Sequence, residues 1–164
     1  ALDTLLVHAE AAPAFLPLAA SKLGMAGVEL RCDQRSLSLI GPVNEGLVKA
    51  AQPDDFGQEF LALVLSVRLV DSMEEALEHI EHYGSGHTET IVTENYSNAE
   101  LFLNEVDTAV VLVNASTRFN DGAQLGLGAE VAISTNKIHA RGPMGLRELT
   151  SYTWVIHGNG HIRD

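Results

Sequence analysis

A chain of 164 residues with 46% hydrophobic content suits one domain with a real core, and with only 5% aromatic residues that core must be mostly Leu, Val, Ala and Ile. A formal net charge of −12 argues against nucleic acid and anionic membrane surfaces, which need a basic face, and leaves any attraction for an anionic ligand to local groups. The single cysteine, Cys32, excludes an intrachain disulfide framework and fits a reducing, cytoplasmic setting, and no apolar run approaches the roughly 18 to 20 residues of a bilayer span.

The chain opens at Ala1 with no Met and no leader-like segment, as if entered in the middle of a longer protein. Residues 4–7 read as a strand. Pro13 suits a first helical turn, and Phe15, Leu16, Ala19 and Leu23 give that helix an apolar face up to Met25, with a stop near Gly27. Residues 28–32 alternate as a strand, and Asp33 caps a short helix over 33–40. Residues 41–56 read as loop with a brief strand near Leu47 and Val48. The apolar run 61–70 is the strongest strand. Asp71 or Ser72 then caps a helix to Tyr83, with Glu74 and Glu75 in its first turn. A strand over 88–93, a helix over 95–105 and a strand over 109–113 follow. The helix over 95–105 places Tyr96, Ala99, Phe102 and Leu103 on one side. Strands and helices alternate from 61 to 113, which predicts an α/β fold with a mostly parallel sheet flanked by helices. Residues 152–156 read as a last strand, with Asn159 and Gly160 as a turn.

The apolar character stops at Asn114. Ser116, Thr117 and Arg118 come next, then Asp121, Gly122, Gly126 and Gly128, and a second polar knot forms at Lys137, His139, Arg141, Gly142 and Pro143. A packed core does not need so many directional groups, whereas a site for a small, charged ligand does. Ligands of open α/β sheets sit beyond the carboxyl ends of strands, where Asn114 to Arg118 would fall. The planar forks of Arg118 and Arg141 suit carboxylate or phosphate, with surface salt bridges as the plain alternative. Gly126 and Gly128 lack the third glycine of a dinucleotide fingerprint. His79, His82 and His87 lack evident further metal ligands, so the sequence assigns no metal site and leaves them on a solvated helix face, as it does Glu74, Glu75, Glu78 and Glu81. Cys32 reads as buried and inert, because alternation points Arg31 away from it.

The runs VNASTRF, GLGAE and HARGPMG, together with LDTLLVH, EFLALVLSVRLVDSMEEALEHI and YGSGHTETIVTENYSNAELFLNEVD, resemble the γ-glutamyl phosphate reductases, also called glutamate-5-semialdehyde dehydrogenases, of the aldehyde dehydrogenase superfamily. Asn120, Ala123 and Leu125 depart from the threonine, glycine and phenylalanine usual there. The resemblance implies an aldehyde-dehydrogenase-like catalytic portion over residues 1–149 and a C-terminal oligomerisation strand over 150–164, hence a homo-oligomer. A dinucleotide-binding domain and a nucleophilic cysteine are expected upstream of Ala1; Cys32 matches no catalytic position. It implies reduction of L-glutamate 5-phosphate by NADPH, through a cysteine thioester, to the semialdehyde and phosphate of proline biosynthesis. It places Asn114, Ser116, Thr117, Arg118, Arg141 and Gly142 around substrate, and Glu59 and Phe60 at the ribose next to nicotinamide. A non-catalytic ligand-binding or assembly module of this fold, and an aldehyde dehydrogenase for another small aldehyde, are the alternatives.

Overall fold

The structure, a computed structural model, describes residues 2–41 and 46–164, so the loop reading of 42–45 lies outside the described residues, as does Ala1. Four strands form one parallel sheet: β1 (Thr4–His8), β2 (Glu29–Cys32), β3 (Val48–Ala50) and β4 (Val64–Val70), in the order β1-β4-β2-β3. The register sets Val7 opposite Leu69, Leu30 opposite Leu65 and Cys32 opposite Val67. These residues share one face and bury almost completely against Ala12, Leu16 and Ala20 of α1 (Ala12–Met25) and Ile40 of α2 (Gln34–Ile40). The spacing of four along α1 makes the buried stripe; Phe15, expected on it, lies 45% exposed. At the end of α1, Gly27 takes φ 76°, the Val28 N–H reaches the Leu23 carbonyl at 3.0 Å and the Gly27 N–H reaches Gly24 at 2.9 Å. This stop needs a residue without a Cβ penalty in the left-handed region.

The opposite face of β4 is mixed, with Ser66 and Arg68 between Val64 and Val70. The buried Ser66 hydroxyl donates to the Asp55 carbonyl at 3.0 Å, and Arg68 reaches α3 (Met73–Tyr83), which therefore lies on that side. Ser72, not Asp71, caps α3, its Oγ accepting the Glu75 N–H at 3.2 Å, while Asp71 pairs with Arg35. Asp33 caps α2 by accepting the Ser36 N–H at 2.8 Å, and Asn95 caps α4 (Tyr96–Glu105). On α4, Phe102 is buried and Ala99 half-buried, but Tyr96 and Leu103 are exposed.

Three expectations are corrected. β4 starts at Val64, not at Leu61, because Leu61 turns to φ 51° and residues 61–63 bend. The alternating run from 61 to 113 divides between two sheets. β4 joins β1 and β2, whereas β5 (Thr88–Ile91) and β6 (Val110–Val113) pair in parallel with each other only. Residues 150–164 form no ladder among the described residues: Tyr152, Trp154 and Ile156 are more than 80% exposed, and residues 159 and 160 make a bend rather than a hairpin turn. The apolar alternation is there, but a strand exists only where another strand's backbone pairs with it. β7 (Ala132–Ser134) and β8 (Gly142–Met144) make a short antiparallel pair around the second polar knot, where the sequence analysis places no strand.

Candidate anion site beyond strand β6

β6 ends where Asn114 takes φ 54° and turns the chain away from the ladder. Its side-chain Oδ1 accepts the Thr93 N–H at 2.9 Å and its Nδ2 donates to the Thr93 carbonyl at 2.8 Å. One residue on, the Ala115 carbonyl accepts the Thr90 hydroxyl at 2.9 Å, and farther along Asn120 Nδ2 donates to Thr88 Oγ1 at 2.7 Å. Between these ties lies a single 3₁₀ turn, Thr117–Phe119, started by Ser116, whose Oγ accepts the Arg118 N–H at 3.3 Å. Ser116, Arg118, Phe119, Asp121 and Gln124 line a depression of about 320 Å³.

Two carboxylates, Asp121 and Glu130, and one guanidinium, Arg118, set the charge here. Asp121, which lines the same depression, turns one carboxylate oxygen to the backbone, its Oδ1 accepting the Ala123 and Gln124 N–H groups at 2.8 and 3.0 Å. Glu130 does the same for the Gly122 N–H at 2.7 Å, across a gap so narrow that a Cβ on Gly122 would meet the Glu130 side chain at 2.9 Å. Among the described residues the Arg118 guanidinium has no hydrogen-bond or ion-pair partner and is exposed. An uncommitted planar fork beside a free Ser116 hydroxyl proton has the donors that carboxylate or phosphate oxygens accept from.

The other residues expected around substrate are placed differently. Thr117 is half-buried within the turn. Arg141 is an ion-pair residue: its Nη1 donates to Asp107 Oδ1 at 2.7 Å and its Nη2 to the Asp107 carbonyl at 3.1 Å, while Lys137 holds the second carboxylate oxygen. Hydrogen bonds from Lys137 and then Arg141 keep the Asp107 carboxyl below its ordinary range. Asp107 precedes β6, and Gly142 lies against Ala109 and Val110, so Arg141 and Gly142 sit at the amino end of the strand whose carboxyl end leads to Arg118. The chain does not bring the two arginines together. Glu59 is exposed, in the segment leading into β4. Phe60 is committed to packing, with the Arg31 guanidinium 4.9 Å over its ring. Phe119 and Gln124 were not singled out in the sequence; only their position beside Arg118 could have suggested them.

Cys32 is fully buried, and burial, with Asp33 adding to it, pushes its thiol up to about 12, so it stays protonated. His79 does not lie on a solvated face. It is 5% exposed, its ring packs 4.7 Å from Tyr83 and 5.3 Å from Phe56, and Arg68 donates to its Nδ1 at 3.1 Å. Glu75 is likewise engaged, with Arg68 and the Asp71 N–H. Among the described residues no three His, Cys, Asp or Glu side chains converge as metal ligands. No helix there is long and apolar enough to cross a membrane.

No protein-family model matches the chain. Proteins named gamma-glutamyl phosphate reductase do: that of Dehalococcoides mccartyi is 58% identical over 163 residues, and that of Chloroflexus aurantiacus 58% over 166, each alignment covering 99% of this chain. The chain spans 38% and 39% of the length of those relatives. A crystal structure of gamma-glutamyl phosphate reductase from Thermotoga maritima superposes with a TM-score of 0.86 at 47% identity, covering 99% of this chain and 38% of that one. The Saccharomyces cerevisiae enzyme of the same name gives 0.57 at 29% identity over 77% of this chain. Along nearly its whole length, then, this chain is homologous to about two-fifths of the gamma-glutamyl phosphate reductases and carries the α/β fold of that portion.

Proposed function

We propose that this chain supplies the anion-binding portion of an NADPH-dependent reductase converting L-glutamate 5-phosphate to L-glutamate 5-semialdehyde and phosphate, an oxidoreductase step of proline biosynthesis. The observation that carries the reading is the uncommitted Arg118 guanidinium over its depression, in a chain whose relatives bear that enzyme name. In a protein this acidic, a doubly charged acyl phosphate needs a local positive group, and Arg118 is that group. Ser116 adds a hydroxyl donor, and Asp121 and Glu130 each turn one carboxylate oxygen to backbone N–H groups, with no ion pair to the guanidinium among the described residues.

NADPH would supply a hydride when bound. Glu59 fits a role at its ribose, since its carboxylate is exposed and, among the described residues, unpartnered. Phe60 supports that role less, since its ring already carries the Arg31 guanidinium at 4.9 Å. A homo-oligomer built through residues 150–164 belongs to the same reading, supported by the exposed apolar side chains of that segment. So does a cytoplasmic setting, supported by the single, buried and unpaired cysteine.

The test is Arg118→Ala in the longer reductase that contains this segment. Loss of one partner of a charge-assisted contact should lower kcat/KM by about 2–4 kcal/mol of transition-state binding. Arg118→Lys should recover only part of it, because an ammonium cannot make the bidentate contact. A kcat/KM for Arg118→Ala within a few-fold of the unsubstituted enzyme would make Arg118 structural.

A further inference from the structure

We propose that Asn114 is a positioning residue, a side-chain clasp that holds the loop carrying Ser116 and Arg118 against the end of β5; the proposal rests on the reading of Arg118 as the substrate's anion receptor. The β5–β6 ladder proper ends with the Asn114 N–H on the Ile91 carbonyl at 2.8 Å. Beyond that point the Asn114 backbone turns to φ 54° and can no longer pair. Its side chain makes the next rung instead. One amide presents an acceptor to the Thr93 N–H and a donor to the Thr93 carbonyl, so both polar groups of a single backbone residue are satisfied at 2.9 and 2.8 Å. Asparagine meets both requirements at once: it tolerates the left-handed region, and its amide carries the matching donor and acceptor. Aspartate lacks the donor, and alanine lacks both groups.

The resemblance places Asn114 around substrate; the clasp assigns it a role through what it positions, since the oxygen and the nitrogen of its amide each hold the Thr93 backbone. Two further ties come from the same side. Thr90 holds the Ala115 carbonyl, and Thr88 holds Asn120 at the far end of the turn. The loop from 114 to 120 is thus pinned at both ends to the threonines of one strand and its exit, while Arg118 between them is unpinned and faces the depression. The threonines recur at 88, 90 and 93, so β5 serves as the ruler for the arginine's position.

The test is a double-mutant cycle in the longer reductase, reading KM for glutamyl phosphate separately from kcat. Asn114→Ala alone should raise that KM about 10- to 100-fold, the scale of misplacing a binding group by an ångström. In an Arg118→Ala background the same substitution should change KM by no more than about threefold, because the charged group it positions is gone and only the Ser116 hydroxyl is left to misplace. Equal fold-changes in both backgrounds, or no change in KM from Asn114→Ala alone, overturn the clasp while leaving an impaired Arg118→Ala variant, and so the reading of the receptor, intact. An Arg118→Ala variant with unchanged kinetics overturns both. Should Asn114→Ala fail to fold, Thr90→Val removes only the hydroxyl on Ala115 and is carried through the same cycle against the same outcomes.

Discussion

Single side chains decide the chemistry, and their partners decide the side chains. His79 is held neutral: burial first, and the neighbouring Arg68 cation second, push it from 6.5 down to about 4, with Glu75 opposing and His82 adding slightly. The folded chain therefore binds this proton more weakly than the unfolded chain. The stability this contributes is fully present above pH 6.5, and is lost as pH falls from 6.5 through 4, up to about 3 kcal/mol. His79→Gln keeps an acceptor for Arg68 but cannot titrate. Urea unfolding at pH 7 and pH 4.5 should show a smaller loss on acidification for the variant than for the unsubstituted chain; equal losses would refute the assignment. Residue type was legible in the sequence here, but partnership was not. Arg118 and Arg141 look alike in sequence, yet Arg141 finds Asp107 34 positions away and Arg118 finds nothing among the described residues. His79 reads as one of three histidines, and only the fold buries it between Phe56 and Tyr83.

Helix ends are where sequence and structure agree best, because a cap is a local event. Asp33, Ser72 and Asn95 each stand before a helix and each accept the N–H three residues on. Asp33→Ala removes the α2 cap and should cost about 1 kcal/mol, a fall in Tm of roughly 2–4 °C; a Tm within a degree of the original would show the cap to be idle. Strands agree less well because they depend on distant chain. The run over 61–70 is apolar throughout, but residues 61–63 have turned out of the ladder before β4 begins. β7 and β8 are three residues each, and Pro143 within β8 argues for a loop until the antiparallel pairing with Ile133 is seen. Asn120 finds a partner in Thr88, which no reading of the loop alone could supply.

At the scale of the molecule, alternation of strands and helices correctly gives a parallel α/β fold but not the number of sheets, since both arrangements have the same periodicity. The core lies in the four-stranded sheet and its two helices; the candidate anion site lies on the two-stranded sheet. The segment after Leu149 belongs to neither. Tyr152, Trp154, Val155 and Ile156 are between 72% and 89% exposed, an apolar run with an unpaired backbone. Such a run invites pairing with another chain. Deleting residues 150–164 from the longer reductase should lower its sedimentation coefficient to that of the monomer at micromolar concentration. An oligomer unchanged by the deletion would remove the case for this segment as its contact.

Trp154, the one tryptophan of the chain, sits in that segment at 82% exposure, with the Tyr152 ring edge-on at 5.7 Å. Its fluorescence is therefore blind to the core. Unfolding of the 164-residue chain should pass almost unseen in tryptophan emission while the helical circular dichroism is lost. Any blue shift in that emission under native conditions would report the tail finding a dry surface, which makes the native residue a label already installed at the contact it would follow.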